Sequence, residues 1–157
     1  MRKSIIKPVG VNPEKKVQEE WLALAKFASV EITSEDPDFP IEDALGGHQG
    51  PGWRAAERGK QVIRLVLDKP RLLRRIRLEF SETETSWTQE FTLQWSRAGG
   101  PMIEIVRQQW TFSPQGATSE IEDYQVNLDS VSILELTLRP DLTPDTAFAT
   151  LASWRVG

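Results

Sequence analysis

The sequence predicts an all-β protein, an antiparallel β-sandwich of jelly-roll type carrying one N-terminal helix. Three observations point there. Apolar and polar residues alternate with a period of two in segment after segment from Val62 to Val156. Turn signals such as Asp68-Lys69-Pro70, Arg97-Ala98-Gly99-Gly100-Pro101 and Ser113-Pro114-Gln115-Gly116 separate those segments at short intervals. Helical periodicity is confined to the first 28 residues of 157, a length that suits one domain with a sizeable core.

At the N-terminus, Asn12-Pro13-Glu14 offers a cap, a proline suited to the first helical turn, and an acid near the helix start. Val17, Trp21, Leu24 and Ala28 then recur at spacings of four, three and four. They form one apolar stripe of an amphipathic helix over about 13–26, expected to dock on the body. Residues 1–27 are read as this extension and 28–157 as the sandwich domain. Residues 34–52, with three prolines and four glycines, read as a long irregular loop that ends at Trp53.

The strands come in order. Val62 to Leu67 leads into the Asp68-Lys69-Pro70 turn. Ile76, Leu78 and Phe80 alternate with Arg75, Arg77 and Glu79, and Phe91, Leu93 and Trp95 with Thr92, Gln94 and Ser96. Ile103 to Phe112, Tyr124 to Leu128, Leu134 to Leu138 and a closing strand from Ala149 to Val156 complete the set. Parity assigns Trp95, Trp110 and Trp154 to the core and Trp21 to the helix stripe. Trp87 stands apart, in the polar stretch Ser81 to Thr88, where burial has no evident partner.

Composition excludes several chemistries. There is no cysteine, so disulfides, thiolate zinc sites and cysteine nucleophiles are absent. His48 is the single histidine, in a glycine-rich loop, and no Gly-x-Ser-x-Gly elbow or phosphate-cradling glycine loop occurs. Carboxylates such as Glu120, Glu122 and Asp123 read as a solvated strand face. The chain is expected to be non-catalytic, without cofactor or resident metal. A net charge of −4 disfavours sequence-independent nucleic-acid binding, which needs a positive field. The basic cluster of Arg64, Lys69, Arg71, Arg74, Arg75 and Arg77 reads as an outward strand face balanced by acids such as Glu79 and Glu135. No apolar run is long enough to span a bilayer and no signal peptide is recognised, so a cytoplasmic location without membrane insertion is expected.

The order of short motifs resembles discoidin-type domains, the coagulation factor 5/8 C-type, galactose-binding-like family. Ala28-Ser29-Val30, a long loop, Ala44-Leu45-Gly46-Gly47, Trp53 and the strand Gln61 to Leu67 match its opening. Ile76-Arg77-Leu78, then Phe91 to Ser96 before a Gly-Gly turn, match its middle strands, and Ala149 to Val156 matches its final one. Gly46, Pro51 and Ser153 replace the Asp, Thr and Glu that in the family commonly help hold a structural calcium ion. The resemblance therefore implies the fold without its calcium. It also implies a ligand site on the loops at one end of the sandwich. Phe39, His48 and Trp87 fall on such loops, with Glu84, Gln89 or His48 as hydrogen-bond partners for a sugar stacked on an aromatic ring. A carbohydrate-binding module is the preferred reading. An intracellular protein-interaction domain of the same fold is the alternative, and neither the sugar, the partner nor the oligomeric state is specified.

Overall fold

The computed structural model describes residues 21–46, 51–81, 87–112, 119–140 and 148–157, with backbone alone at Trp87 and Phe112. Most of the expected helix, with Val17, lies outside the described residues. Beyond it comes a single turn of helix, α1 (Leu24–Phe27), whose Leu24 is buried. Ala28, placed on the helical stripe by spacing, instead opens the first strand, β1 (Ala28–Ile32).

The long loop after β1 is not wholly irregular. It contains a short helix, α2 (Ile41–Leu45), that sends Ile41 and Ala44 inward. Pro40 and Glu35 set its start: the Glu35 carboxylate accepts from the Ile41 backbone N–H at 2.8 Å. The remaining strands are β2 (Trp53–Arg54), β3 (Gln61–Ser81), β4 (Trp87–Ser96), β5 (Ile103–Phe112), β6 (Ser119–Pro140), β7 (Thr150–Leu151) and β8 (Ser153–Val156).

Two sequence expectations are corrected here. Asp68-Lys69-Pro70 does not end a strand: β3 runs through it with register shifts between Val66 and Arg75. Tyr124 to Leu128 and Leu134 to Leu138 are likewise parts of one strand, β6. The two long strands pair antiparallel along both halves, Gln61 with Leu138 at one extreme and Ser81 with Ser119 at the other. At the shifts the ribbon bends and passes from one layer to the other, since proline and the shifts break the ladder without breaking the chain. The first half of β3 and the second half of β6 pair with β1 and β4, and β4 pairs with β5. The second half of β3 pairs with β8. Two layers result, joined by a shared bend.

The core lies between them. Ile63, Leu65, Phe91, Leu93, Leu134 and Leu136 from one layer meet Ile76, Leu78, Phe80, Trp154 and Val156 from the other, all buried in a single cluster. Phe80 crosses the gap to Phe91 and Trp110, with centroid distances of 5.4 and 4.4 Å. Trp95 and Trp154 are buried as parity requires, and Trp110 is half-buried with its ring turned inward. The closing strand is broken at Ala152, which separates β7 from β8. There Gly52 makes room: its φ is +90°, and a Cβ on it would lie 2.6 Å from the Leu151 carbonyl oxygen. Only glycine suits both that backbone and that approach.

Three residues of the basic cluster are paired with acids. Arg64 binds Glu135 at 2.6 Å and Glu31 at 2.9 Å, Arg75 binds Asp123 through two nitrogens at 2.9 and 2.6 Å, and Arg77 lies 3.7 Å from Glu79.

Candidate functional site

Strand register gathers the loop-bearing ends. Ile32 is paired with Ile63, Gln61 with Leu138, Gln89 with Pro140 and Trp87 with Phe112, so these termini share one end of the larger layer. The Thr150 hydroxyl donates to the Ser81 carbonyl at 3.3 Å, which brings the ends of β3 and β7 to the same place. We call this end the rim.

Phe39 is fixed at the rim by a compact turn. The Asp36 carbonyl accepts from the Phe39 N–H at 2.8 Å, and the Phe39 carbonyl accepts from the Arg54 N–H at 3.3 Å. The Arg54 guanidinium sits over the ring, 4.8 Å from its centroid. One ring face is therefore covered by a cation, and the side chain as a whole is half-buried. Beneath this turn the buried amide of Gln61 organises the chain. Its Oε1 accepts from the hydroxyls of Thr33 and Ser34, each at 2.7 Å, and its Nε2 donates to the Glu57 carbonyl at 3.3 Å. The Trp53 indole N–H donates to the Ser34 carbonyl at 3.1 Å, so this tryptophan supports the rim from inside.

The other expected site residues divide. His48 and Glu84 lie outside the described residues. The backbone of Trp87 is not in a loop as expected but opens β4, opposite Phe112. Gln89 is no surface group: it is fully buried, and its amide is bonded to the Thr150 backbone at 3.3 and 3.4 Å. Alternation places it on the inward side of β4, opposite Trp110, so it serves the fold rather than a ligand. Arg54 and Ser34 were missed by sequence reasoning, since neither sits in a periodic segment and their contacts join residues distant in the chain, Arg54 with Phe39 and Ser34 with Trp53 and Gln61.

Of the acids expected on a solvated face of β6, Asp123 lies on it, paired with Arg75, but Glu120 and Glu122 do not. Glu120 and Glu122 are opposite Phe80 and Leu78, so they point inward, while Ile121 points out and is 50% exposed. The first half of β6 pairs with β3 alone and is an edge of its layer. The Tyr124 hydroxyl donates to Glu122 at 2.8 Å. A hydrogen bond to Glu122, together with partial burial, pushes the Glu120 carboxyl up to about 7. Inward charge on a free edge also opposes the addition of a further strand. No group of three or more His, Cys, Asp or Glu positioned for a metal occurs among the described residues.

No family model and no curated protein matches the chain. Solved structures do. A family 32 carbohydrate-binding module (CBM) of Clostridium perfringens NanJ, in complex with galactose, superimposes with a TM-score of 0.61 at 15% identity, over 87% of this chain and 96% of that one. This is the galactose-binding-like, discoidin fold. A chitosan-binding module of a Paenibacillus chitosanase/glucanase shares it, with a TM-score of 0.61, 16% identity and coverage of 87% and 98%. So does part of a Ruminococcus gnavus fucosidase solved with fucose, with a TM-score of 0.69 at 10% identity, over 88% of this chain and 26% of that one. In this chain α2 directly follows the rim-side loop that carries Phe39, whereas α1 precedes β1 at its other end.

Proposed function

We propose that the chain is a non-catalytic carbohydrate-binding module whose ligand site lies on the rim. Trp87 and Phe39 supply stacking faces, and His48 and Glu84 supply hydrogen bonds to sugar hydroxyls. The observation that carries this reading is the convergence of strand ends at the rim, with Phe39 held there between Asp36 and Arg54. Sugar rings present apolar C–H faces that pack on aromatic rings, while their hydroxyls need directional polar partners. The same fold in modules described with galactose, chitosan and pectin supports the ligand class.

A glycan array run beside affinity capture from a lysate tests the proposal. Selective retention of a glycan, abolished by Trp87→Ala, is the expected result. Capture of a protein partner with no glycan retained would replace it with the protein-interaction reading.

A further inference from the structure

The outward face of the larger layer is polar and grooved. A groove of about 500 Å³ crosses β1, β3, β6 and β4 on the side away from the core. That volume falls within the ~300–1,000 Å³ typical of small-molecule sites.

Its floor is a preformed charge triad. Arg64 bridges Glu135 and Glu31 across three neighbouring strands, and these interactions hold its guanidinium above its usual range. Gln94 and Thr137 line the groove beside the triad. Planar carboxylate, guanidinium and amide groups fixed in this way can each engage two adjacent hydroxyls.

One end of the groove carries two cations that no acid among the described residues pairs. One step beyond the Gln61–Leu138 pair lie Lys60 and Arg139, both lining the groove. Neither has an ion pair among the described residues. Glu90, which register places opposite Arg139, lies 3.5 Å from Arg107 instead. Arg139 Nη1 is buried without a hydrogen-bond partner among the described residues. On the same face Thr92, paired with Thr137, is 4% exposed, and its hydroxyl also lacks a partner. Polar groups buried without a partner are costly, so an acceptor in the groove that the Arg139 or Thr92 side chain can turn toward is favoured.

We propose that this outward face, whose Lys60–Arg139 end borders the rim, is a second saccharide site that binds the uronate unit of an acidic polysaccharide. The sugar carboxylate lies between Lys60 and Arg139, and the ring hydroxyls meet Gln94, Thr137 and the Arg64 triad. The proposal stands independently of the rim reading.

Calorimetric titration of the full chain with trigalacturonic acid, and with its methyl ester in which the carboxylates are masked, tests it. Trigalacturonic acid is expected to bind, and the methyl ester to bind at least about tenfold more weakly. Arg139→Gln should weaken the acid about tenfold or more, Lys60→Gln less, and Arg139→Lys should retain part of the affinity. Trp87→Ala should leave this binding unchanged, whereas loss of neutral-glycan binding in that variant reads out the rim alone. Absence of trigalacturonate binding, equal affinity for the ester, or wild-type affinity in both Arg139→Gln and Lys60→Gln would overturn the proposal. Should Arg139→Gln fail to fold, Lys60→Gln and the ester comparison decide it.

Discussion

The side-chain amide of Gln89 bonds to both backbone groups of Thr150, accepting from its N–H at 3.3 Å and donating to its carbonyl at 3.4 Å. The amide thus acts as a substitute strand partner for β7 inside the sandwich. Gln89→Ala leaves the N–H and carbonyl of Thr150 buried and unpaired, and should cost about 1–3 kcal/mol. Denaturant unfolding measures this, and a loss below experimental error would show that the rim closes without the clamp.

Trp95 and Trp87 should respond in opposite ways. Trp95 is 6% exposed within the core cluster, so Trp95→Ala should cost about 3–5 kcal/mol whatever the ligand. Trp87→Ala should abolish glycan retention with little change in unfolding midpoint if the ring stacks on a sugar. A large stability loss in Trp87→Ala would assign that ring to the interior and remove it from the site.

Glu120 makes stability depend on pH. The folded chain keeps its proton up to about pH 7, whereas an unfolded glutamate releases it near 4.5. Folding therefore favours the protonated form in that window. The contribution is complete below 4.5 and is lost as pH rises through 7. Glu120→Gln should flatten the dependence of the melting temperature between these values and raise it most above pH 7. An identical pH profile in the variant would mean that the proton is held elsewhere.

Calcium should neither be needed nor stabilise. Gly46, Pro51 and Ser153 leave one hydroxyl where the family's oxygen donors commonly stand. A ligand bound only by the folded chain must raise its melting temperature. Millimolar calcium followed by chelator should therefore leave that temperature unchanged, and a reversible rise would identify a site.

The sequence alone determined the strand class, most strand positions and the inward side of the central strands. Parity along Phe91, Leu93 and Trp95, and along Trp154 and Val156, survives folding because each segment has one wet and one dry face. The Arg64–Glu135 and Arg77–Glu79 pairings were also legible as charge balance on outward faces. Tertiary structure decided the rest. Asp68-Lys69-Pro70 carries the same local signal whether a chain reverses or merely bends, and only pairing with β6 keeps β3 continuous there. Glu120 and Glu122 look solvent-facing in sequence, yet an edge strand tolerates them pointing inward, partly buried, with Glu120 hydrogen-bonded to Glu122. Gln89 reads as a polar residue free to meet a ligand until Thr150, sixty-one residues away, is brought against its amide. In each case the deciding partner lies across the fold, where local periodicity carries no information.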